Sequence, residues 1–485
     1  MRIEITNAHI ICCDASDTEY ENGHIVVEND RILDIGQGPP PGHRPDARHI
    51  EAGGKILLPG FVNGHTHSYA NITRGLTPAV PLEIWMVYAG AASQALAPRD
   101  IYLSTLLGGM EMIRTGTTTC VDHFHSSSGG EAMEQISRAY TDLGIRAYMA
   151  PMVSDRSYPD SLPLIRGEKA KGDRIGWAEP PSVQELLGFV EDGLKKWRDP
   201  DGLVRTIVGY SAPHRCSDDF IVSLHELAAR YDVGIHTHLL ETRFQASMGR
   251  ELYGEDIVSH LSSLGVLDRR AAFAHGVWVS REAAATLSGA GCSIIHNPQS
   301  NLFLGSGVCP VPILRETGVN IALGTDGSNC GGTQSMFRSL HLGATQHNHG
   351  EPEYENWPTA GDALGWATRG GARSVLAACE SGSLEKGKKA DLVMIDTGGL
   401  PLTPLHNAVD QLVLGEPAGA VENVMVNGSW VLEKGAMTSI AECDVLREIR
   451  ERAPYIKEKY QDKIERSTRE IDLVKSMYRR LGAMG

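Results

Sequence analysis

The sequence predicts an α/β chain built on a (β/α)8 TIM barrel, with a small β-sandwich domain drawn from both termini and a helical C-terminal tail. Three observations predict it. Eight short apolar segments, centred on Phe61, Cys120, Met149, Ile207, Ile235, Phe273, Ile295 and Ala322, mostly alternate with helical stretches. Several of them end in polar residues able to do chemistry, as on the C-terminal rim of a parallel barrel. Strand-and-turn texture occurs at both ends of the chain.

The elements follow in order. Met1 to Ile5 alternates like a strand and lacks the apolar core of a signal peptide. Residues 23–32 read as a hairpin turning at Asn29-Asp30. The run Ile56-Leu57-Leu58 leads into Pro59-Gly60-Phe61-Val62-Asn63-Gly64-His65-Thr66-His67. Side chains alternate along a strand, so His65 and His67 face one way. Helical periodicity covers residues 183–197, 218–230 and 281–288. The segment 233–239 carries His236-Thr237-His238, with Glu241 just beyond. Residues 271–274 end at His275-Gly276, and 319–323 at Gly324-Thr325-Asp326-Gly327. Strand texture returns at 390–396 and 421–431, where Asn427-Gly428 is a strong hairpin signal. The predicted divisions are a β-sandwich from 1–57 and 381–438, a barrel over 58–380 and a tail over 439–485. The tail is charged, is expected to break at Pro454, and reads equally as a packing or oligomer arm or as a solvated helix.

Bulk properties narrow the function. A chain of 485 residues buries a large core. The net charge of −15 argues against nucleic-acid and anionic-membrane partners. No apolar run reaches membrane-spanning length. Nine scattered cysteines without a CxxC pair suggest reduced thiols and a cytoplasmic location.

His65, His67, His238 and Asp326 make a donor set for one divalent ion, with a position left for water. Glu241 on the same rim can take a proton and return it. His275 can orient the attacking water or polarise the substrate, and Asp326 can accept a proton as well as bind metal. A two-metal site commonly uses a lysine at the end of strand four. That strand ends Val208-Gly209-Tyr210-Ser211-Ala212-Pro213-His214, which favours a single ion.

These stretches, with Arg74-Gly75-Leu76, His296-Asn297-Pro298-Gln299-Ser300-Asn301, Gly305-Ser306-Gly307 and Glu385-Lys386-Gly387-Lys388-Lys389-Ala390-Asp391, resemble the amidohydrolase superfamily. The resemblance is to the branch holding adenosine-type, guanine and cytosine deaminases and the triazine hydrolases, and it covers the chain from Met1 to about Glu433. It implies His65, His67, His238 and Asp326 as ligands of zinc, or of iron, with Glu241 as proton shuttle and His275 as partner of water and substrate. It also implies a homodimer or larger assembly.

Departures from the adenosine-type pattern bear on substrate. Gln94 stands where those members carry a ribose-binding glutamate, Pro151 where they carry an arginine, and Phe303 where they carry a lysine. Gln94 and Asp155-Arg156 are closer to the triazine side of the family. Trp85, Gln94, His125, His214, Asn301 and Phe303 are therefore expected to contact a flat heteroaromatic ring, with Phe124 and Tyr88 as further lining. The expected reaction is hydrolytic deamination of a purine base, pterin or triazine. Displacement of chloride or an alkylamine, deamination of an adenosine-type nucleoside, and an inactive barrel used for binding are the competing readings.

Overall fold

The computed structural model describes residues 1–42, 44–125, 129–158, 161–162 and 179–482, with residues 481 and 482 described for backbone alone. Five strands come first: β1 (Arg2–Ile11), β2 (Glu19–Glu28), β3 (Arg31–Gln37), β4 (Arg48–Glu51) and β5 (Lys55–Pro59). The β2–β3 turn falls at Asn29-Asp30 as predicted, with Asn29 at φ 55°.

The body of the chain supplies β6 (Phe61–Thr66), β7 (Thr117–His125), β8 (Arg146–Met152), β9 (Val204–Thr206), β10 (Val208–Gly209), β11 (Ile235–Leu239), β12 (Ala271–His275), β13 (Ser293–His296) and β14 (Asn320–Leu323). They form two all-parallel sheets, ordered β6-β7-β8-β9 and β10-β11-β12-β13-β14. Seven of the eight predicted centres lie inside strands. The eighth, Ile207, lies between β9 and β10, where one predicted strand passes from one sheet to the other. Its amide bonds back to Met149 of β8, while the next amide, of Val208, bonds forward to Gly234. Just past β14, the amides of Thr325 and Asp326 donate to the His65 carbonyl at the end of β6, at 3.2 and 2.9 Å. The helices 183–196, 218–231 and 281–289 match the periodic segments to within a residue.

The chain returns through β15 (Leu392–Asp396), β16 (Val421–Val426), β17 (Ser429–Glu433) and β18 (Ala436–Met437). Both termini enter one nine-stranded sheet, ordered β18-β17-β16-β15-β5-β1-β2-β3, with β4 beside β1. The sheet rolls over its own apolar face. Ile32 and Ile35 on β3 and Trp430 on β17, far apart in strand order, pack in one cluster with Ile5, Ile25, Leu57 and Leu392. Gly428 at the β16–β17 turn (φ 75°) lies against the β2–β3 turn; a Cβ there would sit 1.8 Å from the Asn29 carbonyl. The buried pair Arg146–Asp391, at 3.1 Å, ties this sheet to β8. Removing one partner of such a pair costs about 3–5 kcal/mol.

The tail corrects one expectation. Helix Glu442–Arg466 runs through Pro454 without ending there, and the break falls at Ser467, before helix Thr468–Gly482. Anchors on both sides of Pro454 outweigh its missing amide: an ion pair from Arg452 to Asp100, and buried Ile456 and Tyr460. The final helix lays Ile471, Val474 and Met477 against Ile84 and Val87 of helix Leu82–Gln94. No helix among the described residues is long and apolar enough to cross a membrane.

Candidate metal centre and substrate cavity

The chemistry predicted from the strand ends converges. His65 and His67 leave the end of β6, His238 sits near the end of β11, His275 ends β12, and Asp326 lies just past β14. Asp326 Oδ1 is 3.2 Å from His67 Nε2 and 3.6 Å from His65 Nε2. The His65 ring centroid is 4.7 Å from that of His67 and 5.0 Å from that of His238. One ring nitrogen of each histidine is already engaged. His67 Nδ1 donates to the His123 carbonyl, His238 Nδ1 to the Ser211 carbonyl at 2.6 Å, and His65 Nδ1 meets His236 Nε2 at 2.7 Å. These contacts leave each Nε2 turned to the common centre.

The site is built to hold those positions. Asn63 on β6 donates to Thr325 Oγ1 at 2.7 Å and accepts from the Thr325 amide. Gln334 accepts from both Thr325 and Thr66 hydroxyls and donates to the Asp326 carbonyl at 2.8 Å. This buried network locks the histidine strand to the aspartate loop. Gly324 passes so close to His65 that a Cβ would lie 3.0 Å from its amide nitrogen and 2.3 Å from Asn297 Oδ1. Leu240, His275 and Asp326 all adopt positive φ, 48°, 77° and 60°. Each such residue costs of order 1–3 kcal/mol, and this clustering around one centre marks a functional site.

The electrostatics suit a cation. Burial and the neighbouring imidazoles hold His65 and His238 well below the usual histidine range, so both are neutral donors. Burial works to raise Asp326, but His67 and His275 outweigh it and keep the carboxylate ionised. His65 Nε2 is buried without a hydrogen-bond partner. An orphaned imidazole nitrogen facing an ionised carboxylate fits a divalent ion between them.

Glu241 and His275 face the same point. His275 Nε2 is 3.7 Å from Glu241 Oε2 and 3.8 Å from Asp326 Oδ2, and its Nδ1 donates to Asn301 Oδ1 at 2.9 Å. Burial, then the charges of Asp326 and Glu83, push the Glu241 carboxyl well above its ordinary range.

A cavity of about 680 Å³ opens from this centre. Trp85, Gln94, His125 and His214 line it as expected. Asn301 is buried and acts on His275 instead of the cavity wall. Phe303 does not line it: the side chain is 38% exposed, and its neighbour Leu304 faces in. The helical turn Pro298–Phe303 puts adjacent residues on different sides, which the motif spacing did not resolve. Phe124 lies beside a smaller cleft and Tyr88 packs towards the tail.

The lining also includes Glu83, Tyr158, Arg156 and Arg215, none of them expected from the sequence to contact substrate. Glu83 is 4% exposed and accepts the Thr242 hydroxyl at 2.6 Å. Its signal was a lone acid inside the apolar run Leu82-Glu83-Ile84-Trp85-Met86. Arg215 directly follows His214 in the turn Pro213–Arg215 beyond β10. His236 was read only as part of a motif, yet it positions His65.

Strand-end histidines, an aspartate and a buried glutamate on a parallel βα frame define a metal-dependent hydrolase as a class. The chain belongs to the amidohydrolase family, whose model matches residues 56–431. It is 31% identical over 93% of its length to a 5-methylthioadenosine/S-adenosylhomocysteine deaminase of Caldanaerobacter subterraneus subsp. tengcongensis, 98% of which is covered. A deaminase of the same name from Thermococcus sibiricus is 32% identical, covering 89% of this chain and 94% of its own. Among solved structures, a zinc-bound adenosine deaminase from Xanthomonas campestris superposes with TM-score 0.83 at 25% identity, covering 94% of this chain and 98% of that one. A zinc complex of atrazine chlorohydrolase from Arthrobacter aurescens gives 0.84 at 24%, covering 94% and 100%, a likeness of fold.

Proposed function

We propose that this chain is a metal-dependent aminohydrolase that deaminates a heteroaromatic amine, with His65, His67, His238 and Asp326 holding one zinc ion. Three nitrogens and one oxygen suit zinc. The observation that carries the reading is the facing pair of Glu241 and His275, 3.7 Å apart, on the wall of that donor cluster at one end of a large cavity. The ion, when bound, supplies the Lewis acidity that makes water nucleophilic at neutral pH. The residues do the rest. Glu241 takes a proton from the attacking water and gives it to the ring nitrogen as the C–O bond forms. His275, fixed by Asn301, orients the water and the addition product. Asp326 accepts the proton left on the added hydroxyl and returns it to the amine, which departs as ammonia as the C–N bond breaks. Trp85, whose buried indole N–H has no partner, and His214 present donors to the ring.

The same reading makes the two parallel sheets the arcs of one eight-stranded barrel, supported by the backbone bonds at both seams. It takes the rolled terminal sheet as the small domain, from 1–57 and 381–438, beside a barrel of 58–380 and a tail of 439–485. Gln94 and Pro151 favour a purine base, pterin or triazine. The names of the relatives favour a second reading, an adenosine-type nucleoside, with the same chemistry. A cytoplasmic homodimer or larger assembly completes the proposal, and light scattering tests the assembly.

The test is zinc-loaded and iron-loaded protein assayed for ammonia and for chloride with guanine, pterin, melamine, adenosine and atrazine. Ammonia from at least one amine is expected. Stoichiometric metal with no ammonia from any would sink the proposal, and chloride alone would replace it with dehalogenation.

A further inference from the structure

One wall of the cavity carries two cations that nothing in the proposed reaction uses. Arg156 follows β8, and Arg215 follows β10 within the turn Pro213–Arg215. They adjoin each other through the backbone: the Arg156 amide donates to the Arg215 carbonyl at 3.2 Å. Arg156 Nη1 and Arg215 Nε are buried without a hydrogen-bond partner. Among the described residues neither forms an ion pair, although most partly buried arginines in this chain do, as Arg146, Arg205 and Arg315 show. Arg215 reaches only the Ser211 hydroxyl, at 3.3 Å, and lies 5.4 Å over the Tyr158 ring. Asp155, the neighbour of Arg156 in the chain, is spent on the amide and hydroxyl of Ser217. Burying guanidinium donors unpaired is expensive, and the cost is offset when an anion accepts them.

Tyr158 fixes the spacing. Its hydroxyl donates to the Glu83 carbonyl at 2.8 Å, and its ring carries Arg215. The cations thus stand one tyrosine away from the Glu83 end, where Thr242 leads to Glu241. His214, kept neutral by burial and by these two arginines, sits among them as an uncharged hydrogen-bonding group. The cavity carries Glu83 and Glu241 beside the metal cluster and the two cations on the side formed after β8 and β10, with Glu179 and Glu185 also in its lining.

We infer that Arg156 and Arg215 form a subsite for an anionic substituent, a carboxylate or phosphate, so that the substrate is a heteroaromatic amine carrying such a group. The amine end points to Glu241 and the anion to the arginine wall. This rests on the deaminase reading for the orientation of the ring, but binding reads it separately from turnover.

The experiment measures dissociation constants by calorimetry on zinc-loaded Glu241→Gln protein, which is expected to bind without turning over. The probes are pterin with pterin-6-carboxylate, and adenosine with adenosine 5′-monophosphate. In at least one pair the anionic member should bind about tenfold tighter or more, which is about 1.4 kcal/mol. The pair that shows it distinguishes carboxylate from phosphate. Arg156→Gln and Arg215→Gln should each remove most of that preference and leave the neutral member's constant unchanged, which also reports an intact fold. Arg→Lys at either position should restore part of it. Raising the salt should weaken the anionic member alone. A preference below twofold in both pairs, or one that survives in the double Arg→Gln variant, overturns the subsite. Failure of every amine to release ammonia from wild-type protein would instead remove the deaminase reading and leave the binding result standing.

Discussion

Glu241 works because its surroundings resist its ionisation. A carboxyl buried near the charges of Asp326 and Glu83 holds its proton, and the proposed zinc, when bound, would pull the other way. That balance suits a group that must both take and give a proton. Glu241→Gln should therefore keep metal, measured by atomic emission, and lose about 10²–10⁴ in kcat. Near-wild-type turnover in that variant would take Glu241 out of the mechanism. Glu83 offers a different test. Burial raises its carboxyl in the folded state, so the stability it contributes is present below the unfolded pKa and is lost as pH climbs through the folded one. Glu83→Gln keeps the acceptor for Thr242 and removes the titration. Its melting temperature relative to wild type should climb as pH goes from 5 to 8, by about 2 °C or more. A pH-independent difference would show that the carboxyl does not titrate there. His65, His67, His238, Glu241, His275 and Asp326 were legible as a group because each lies at or just past the end of an apolar strand, and the structure brings them together. Reading single residues failed for Phe303 and missed Glu83 and Arg215. Which side of a short turn a residue faces, and which loop crosses which, depend on contacts far away in the chain.

Among the elements, the strands were the most legible, since apolar runs bounded by glycine and polar residues leave little choice. Even Ile207 marked a real feature, the point where one sheet hands over to the next. The tail was less so. Local propensity placed its break at Pro454, but tertiary anchors from Arg452, Ile456 and Tyr460 carry the helix past it. The missing amide bond should still cost the protein stability. Pro454 is exposed, so Pro454→Ala is expected to add about 1–3 kcal/mol, read as a higher midpoint in denaturant. An unchanged or lower midpoint would mean the helix is already adapted around the ring.

For the molecule as a whole, acid should be more damaging than base at the same distance from neutrality. Burial holds His214 and His236 down to about 3 and His225 to about 4. Groups with depressed folded pKa values bind protons only on unfolding, so stability falls from pH 6.5 down towards those values. Acid also protonates the proposed metal ligands, and chelation at pH 7.5 should lower the melting temperature on its own. A flat melting temperature between pH 7 and 5 would contradict the neutral burial of these rings. The α/β class and the parallel sheets were readable at this scale, and strand-and-turn texture at both ends suggested that the ends meet. That the meeting makes one rolled, hydrogen-bonded sheet was not readable, because sheet order is a property of pairing and not of any one strand.

The pairing of β5 with β15 sets a timetable for synthesis. Lys55 and Asp396, which bond across it, lie 341 residues apart. At about 5–20 residues per second, the ribosome leaves the early strands without their late partners for roughly 20–70 s. Throughout that interval β5 presents an open edge lined with Ile56, Leu57 and Leu58. Premature termination anywhere in the barrel would therefore release a sticky fragment, and cells making this protein have reason to keep a holdase close to the exit tunnel.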